Sequence, residues 1–158
     1  MVDYMNVSPT VFKRIINLYP PYLGAGVKID YIGADWKELH VSMALRWYNR
    51  NAVGTHFGGS LYSMIDPHLM LLLMRLLGKK YMVWDKSANI EFITASKKKV
   101  MAVIKISDED LKEIRRRTET GDKYFSRFLV EIKDECDELV ARVEKVIYIR
   151  KKMRYTMN

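Results

Sequence analysis

The stretch from Asn51 to Pro67 holds the residues whose types and spacing suit chemistry: a glycine pair at Gly58-Gly59 and an acid at Asp66. Two adjacent glycines let backbone or a ligand approach closely. They stand where an apolar run begins, and if that run is helical its first N–H groups lack intrahelical partners and favour a negative oxygen. A carbonyl under attack develops such an oxygen, which preorganised amides stabilise. Asp66 lies deeper in the run, between Ile65 and Pro67, where a carboxylate is costly unless paired or hydrogen-bonded. At the wall of a cleft it would serve as a general base acting on water, or as a nucleophile. Each feature also has a plainer reading. The glycines permit tight packing, and Asp66 with Pro67 marks a helix end or caps a second helix.

Gly59 and Asp66 are seven residues apart, so a continuous helix puts them on one face but roughly 10 Å apart along its axis. One helix cannot present both to a single carbonyl. Two antiparallel copies in a symmetric dimer would bring Gly59 of one chain opposite Asp66 of the other, so this chemistry predicts an obligate dimer with two equivalent sites.

The elements that must position these residues follow from periodicity and punctuation. Ser8-Pro9 ahead of Thr10 to Leu18 combines a capping residue, proline at the first helical position and apolar residues three and four apart. A short amphipathic helix is expected there, ended by Pro20-Pro21. Apolar residues alternate over Val27 to Ile32 and Glu38 to Leu45, which should pair as a hairpin around Gly33-Ala34-Asp35. Ser60 to Leu77 is mostly Leu, Met and Ile and apolar almost all round, which suits a helix at the centre of a domain, with a kink at Pro67. Strands are expected over Tyr81 to Phe92, Val100 to Ile106, Tyr124 to Ile132 and Leu139 to Ile149, with a polar turn at 133–137. The segment Asp108 to Arg117 has helix-forming composition and stands as a helical excursion or an extended loop. An antiparallel sheet curled round one long helix satisfies this order, an α+β class in a single domain over residues 1–158.

Composition bounds the function. The chain of 158 residues is 49% apolar and 29% charged, which is globular and fits one domain. The run from Leu69 to Leu77 contains Arg75 and falls far short of the roughly 20 residues that span a bilayer. No membrane association is expected. Met1-Val2-Asp3-Tyr4 lacks the pattern of a secretory signal and Cys136 has no partner cysteine, so a cytoplasmic protein is expected. The formal charge of +8 favours anionic partners. Its basic clusters are short and scattered without interleaved aromatics, so nucleic-acid binding ranks low. Three scattered histidines and one cysteine give no metal-ligand spacing. Serine-elbow, phosphate-loop and dinucleotide glycine motifs are absent.

Asn51, Gly58-Gly59 and Asp66 together resemble the motif of the PaaI-like hotdog thioesterases, and within that superfamily the layout is most similar to the DUF4442 branch. The resemblance implies a hotdog fold, an antiparallel sheet wrapped around a long central helix, and hydrolysis of an acyl-CoA thioester in a homodimer or homotetramer. It implies that Gly59 N–H polarises the carbonyl, that Asn51 orients the carbonyl or water, and that Asp66 is base or nucleophile across the dimer interface. Coenzyme A then enters as part of the substrate, and no cofactor is expected. His56, Phe57, Gly58, Tyr62 and Ser63 are implied to line the substrate site. Asp85 or Ser87 is the polar residue expected from the strand after the central helix. This sequence departs at the family's histidine position, which holds Phe57, with His56 one residue earlier. That departure keeps a second reading in view, a hotdog protein that binds acyl-CoA or acyl chains without turnover.

Overall fold

The computed structural model describes residues 7–153. The N-terminal segment read above for a signal, Met1 to Tyr4, lies outside them. Helix α1 spans Pro9–Asn17, its start fixed by Ser8, whose Oγ accepts from Val11 N. Pro20-Pro21 does more than end it. The two prolines form the first turn of another short helix, α2, Pro20–Ala25, where a missing N–H costs nothing. Strands β1 (Val27–Ile32) and β2 (Glu38–Met43) then pair antiparallel as expected.

The central helix comes in two pieces, α3 (Gly58–Ser63) and α4 (His68–Leu77). Pro67 is the cause: having no N–H, it cannot donate to Ser63 O, and the ladder loses its register. Ile65 N turns back to Tyr62 O at 2.9 Å, and the helical pattern resumes only with Leu71 N donating to Pro67 O at 3.0 Å. The expected kink is therefore a full break, with Asp66 in the turn between the pieces.

Beyond it come β3 (Tyr81–Phe92), β4 (Val100–Lys105), α5 (Asp108–Arg117), β5 (Lys123–Asp134) and β6 (Leu139–Lys151). The segment left open as helix or loop is α5, held by a reciprocal Ser107–Asp110 capping box and anchored by buried Leu111 and Ile114. The strands form one sheet in the order β1-β2-β4-β5-β6-β3, every pair antiparallel. Its concave side shares a core with the central helix pieces, in which Leu61, Ile65, Leu69 and Leu73 pack with Val41, Ile104, Ile132, Val143 and Ile147. Burying each such side chain contributes about 1.5–3 kcal/mol, so this packing fixes where the helix break lies against the sheet.

Candidate functional site

Strand alternation on β6 sends Val143, Lys145 and Ile147 inward together, so a lysine enters the core directly beneath the helix break. Its side chain is 1% exposed, whereas that of Asp66 is 48% exposed. Lys145 Nζ donates to Asp66 O at 2.8 Å and to Asp66 Oδ1 at 3.1 Å. Tyr62, one turn back on α3, donates its hydroxyl to the same Oδ1 at 2.6 Å. The main-chain oxygen freed by the break thus gains a cationic partner, and one oxygen of the carboxylate is held twice.

A second carboxylate completes the group. Asp85 Oδ1 lies 2.9 Å from Lys145 Nζ, an ion pair without hydrogen-bond alignment. A bulge in β3 decides this placement. The register against β6 runs Trp84 to Tyr148 and Asp85 to Ile147, then skips Lys86 and resumes with Ser87 opposite Val146. Asp85 therefore shares the inward face with buried Ile147, while Ser87 is exposed beside Val146. Burial alone would push the Lys145 ammonium down; the adjacent Asp85 and Asp66 outweigh it and hold the group above lysine's ordinary range. Burial also raises Asp85 above the usual carboxylate range, against the pull of Lys145. The Tyr62 phenol is raised by burial and then by its bond to Asp66.

The glycine end is organised differently. Asn51 spends its side chain on its own loop: Nδ2 donates to Thr55 Oγ1 and His56 O, and Oδ1 accepts from Val53 N and Thr55 N. Its effect on anything bound nearby passes through the shape of that loop. His56 is buried, with Nε2 bonded to Lys98 O at 2.8 Å. Phe57 is 54% exposed and its ring lies over Gly59, where an added Cβ would come within 2.5 Å of it. A Cβ on Gly58 would meet Phe92 at 2.8 Å. The two glycines let these exposed aromatic rings close on the helix start. Ser60 N and Leu61 N both turn to Phe57 O, and no partner for Gly58 N or Gly59 N occurs among the described residues. A cavity of about 440 Å³ opens here, lined by Asn51, His56, Gly58, Leu61, Phe92 and Val140. Ser63 Oγ donates back to Gly59 O. Within one chain, then, Asp66, Tyr62 and Asp85 come together, while Asn51, His56, Phe57, Gly58 and Gly59 gather at the other end of α3.

The profile of the family described as "Domain of unknown function (DUF4442)" matches residues 9–149. The chain belongs to the DUF4442 family. No curated protein matches it in sequence. Among solved structures, this DUF4442 chain is similar to a protein of unknown function from Pseudomonas aeruginosa described as a probable thioesterase, with TM-score 0.81, 14% identity and coverage of 94% of this chain and 99% of that one. It is also similar to thioesterase HI1161 from Haemophilus influenzae, with TM-score 0.67, 12% identity and 96% of each chain covered. A third is thioesterase superfamily member 2 from Mus musculus, with TM-score 0.65, 13% identity and coverage of 89% and 96%. At these identities the likeness establishes the hotdog fold of the chain.

Lys145 is the site residue that motif reading passed over. The signal was present in the β6 alternation, where a lysine occupies a position whose neighbours two residues away, Val143 and Ile147, are both apolar. Placing it against Asp66 needed the tertiary structure.

Proposed function

We propose that this DUF4442 protein hydrolyses acyl-CoA thioesters in a homodimeric or homotetrameric assembly. The observation that carries the reading is the Asp66 carboxylate: half exposed, fixed through Oδ1 by Tyr62 and Lys145, with Oδ2 receiving no donor among the described residues. A carboxylate held by one oxygen and open at the other is poised to accept a proton from water. Water oxygen then attacks the thioester carbonyl, the Gly59 N–H of a second copy stabilises the oxyanion, and collapse expels the coenzyme A thiolate. The carboxylic acid and free coenzyme A result. Direct attack by Asp66, giving an anhydride that water then opens, uses the same oxygen. The net charge of +8 suits the phosphates of coenzyme A, and thioesterases occur among the similar folds.

The need for a second copy follows from the separation of Gly59 and Asp66 at opposite ends of α3. Strand β3 offers the surface for it: a 12-residue strand at the sheet edge, with Lys86 to Asn89 exposed. An open edge of that length invites strand pairing. We assign the activity to the cytoplasm, in keeping with a single exposed free cysteine.

Incubation with a panel of acyl-CoA esters and a thiol reagent tests the reading. Thiol release should fall by at least about 10²-fold in Asp66→Ala, and sedimentation should give a dimer or larger. Equal thiol release by wild type and D66A removes the proposal, and an active monomer removes its shared site. The Phe57 ring over Gly59 favours one competitor, acyl-CoA binding without turnover, which predicts thermal stabilisation by acyl-CoA with no thiol released.

A further inference from the structure

The hydrolytic reading uses Lys145 only as one of two donors to Asp66 Oδ1, a task Tyr62 already performs, yet a fully buried ion is costly and an apolar residue between Val143 and Ile147 would avoid that cost. What the lysine touches supplies the reason. From β6 it makes three contacts to two other elements: Asp85 of β3 at 2.9 Å, and in the helix break the main-chain oxygen of Asp66 at 2.8 Å and its carboxylate at 3.1 Å. The turn carrying Asp66 keeps a helical bond from Asp66 N to Tyr62 O at 3.1 Å, and Tyr62 also holds the carboxylate. Both of those contacts come from α3, and Lys145 is the one that ties the turn to the sheet.

We propose that Lys145 is a positioning residue for Asp66, anchored by Asp85 and acting on both the turn and Oδ1 so that Oδ2 is presented in one orientation. The inference rests on the assignment of Asp66 as the proton acceptor. Lys145 and Tyr62 divide the work: both reach Oδ1, but only Lys145 also holds the main chain. The titratable groups that interact with it are Tyr62 on α3, Asp66 in the turn, His68 on α4 and Asp85 on β3. A misplaced catalytic group costs on the order of 10² in rate even when substrate binding is untouched. The expected signature is therefore a loss in kcat with KM preserved.

Lys145→Met alone would strand the Asp85 carboxylate, so the decisive comparison is D85N against D85N/K145M, each checked by thermal unfolding to be folded at the assay temperature. Acyl-CoA hydrolysis should show kcat lower by about 30- to 100-fold in the double variant with KM within about twofold. Equal kcat values would overturn the inference, as would a loss confined to KM. A second measurement needs no turnover: the carboxyl carbon of Asp85, followed by ¹³C NMR, should titrate at higher pH in K145M than in wild type, because the ammonium that pulls it down is gone. An unmoved Asp85 overturns the anchoring. If the wild type releases no thiol while Asp85 moves, the ion-pair network stands, and the hydrolytic reading falls together with the positioning role built on it. If the wild type is active and the variants match, the hydrolytic reading stands and the role of Lys145 falls.

Discussion

Two basic side chains are buried beside Asp66, and their surroundings give them opposite charge states. His68, at the start of α4, is 0% exposed and bonds through Nε2 to the Tyr22 hydroxyl at 3.0 Å. Lys145, on the sheet below, is 1% exposed and faces two carboxylates. Burial pushes the imidazole down to about 3, with the charge of Asp66 offsetting little of it. The same burial acts on the lysine, yet Asp85 and Asp66 more than reverse it. Depth does not set the charge here; the partner does. A neutral phenol leaves a neutral base, and two acids hold an ammonium in the core.

The difference has a sign in pH. Lys145 is raised in the folded state, so its contribution is complete below lysine's unfolded value of about 10.4 and is lost as pH climbs through the folded one. His68 is depressed, so its contribution is complete above about 6.5 and is lost as pH falls toward about 3. The sharpest way to break the contrast is to give Lys145 the surroundings of His68. Asp66→Asn with Asp85→Asn keeps the shapes and removes both charges. Urea unfolding at pH 7 should show a loss of about 3 kcal/mol, since a buried cation then lacks any counter-charge. Stability of the double variant should recover as pH rises toward 10, a span over which the Lys145 contribution in wild type stays complete. An unchanged midpoint would mean that the carboxylates are not what keeps Lys145 charged.

This contrast also marks how far the residues could be read in advance. Periodicity gave the strands and α1, and Asp66 beside Pro67 stood out because a charge and a backbone break coincide in an apolar run. The residues alone predict a kink at Pro67, where the structure has a break between α3 and α4. Proline's missing N–H removes the rung to Ser63 O, but whether the ladder re-forms also depends on what the other carbonyls of the turn meet, and Asp66 O meets Lys145, 79 residues away. Pro20-Pro21 reads as a stop for α1, although the same fixed φ that ends one helix begins the next. The choice between Asp85 and Ser87 turned on the bulge at Lys86, which swaps the faces of every later residue and leaves no mark in composition. The partner of His68, Tyr22, comes from α2, a helix that the residue pattern does not reveal.

A smaller effect tests the histidine half of the contrast. His68→Gln keeps a group able to bond the Tyr22 hydroxyl but cannot be protonated in this range. Between pH 6 and pH 4 wild type should lose stability more steeply than H68Q, by about 1.4 kcal/mol per pH unit, the value for one proton taken up on unfolding. Parallel curves would show that His68 is charged in the folded protein after all.

The smallest expected effect concerns the bond that keeps His68 neutral without a charge. Burial holds the Tyr22 phenol well above its usual range, with the nearby Asp66 charge adding to it, so Tyr22 remains a hydroxyl wherever the protein is folded. Tyr22→Phe leaves the ring packing intact and strips one partner from a buried nitrogen, which should cost about 1 kcal/mol. Packing alone would also make the single variants differ from wild type, so the useful quantity is the coupling in a cycle of Y22F, H68L and the double variant. A neutral hydrogen bond predicts a coupling of about 1 kcal/mol that is the same at pH 6 and pH 8, because neither partner ionises across that span. A coupling that grows at pH 6 would require His68 to be gaining a proton there. In that case the two buried bases would differ in degree only, and the partner rule drawn from them would fail.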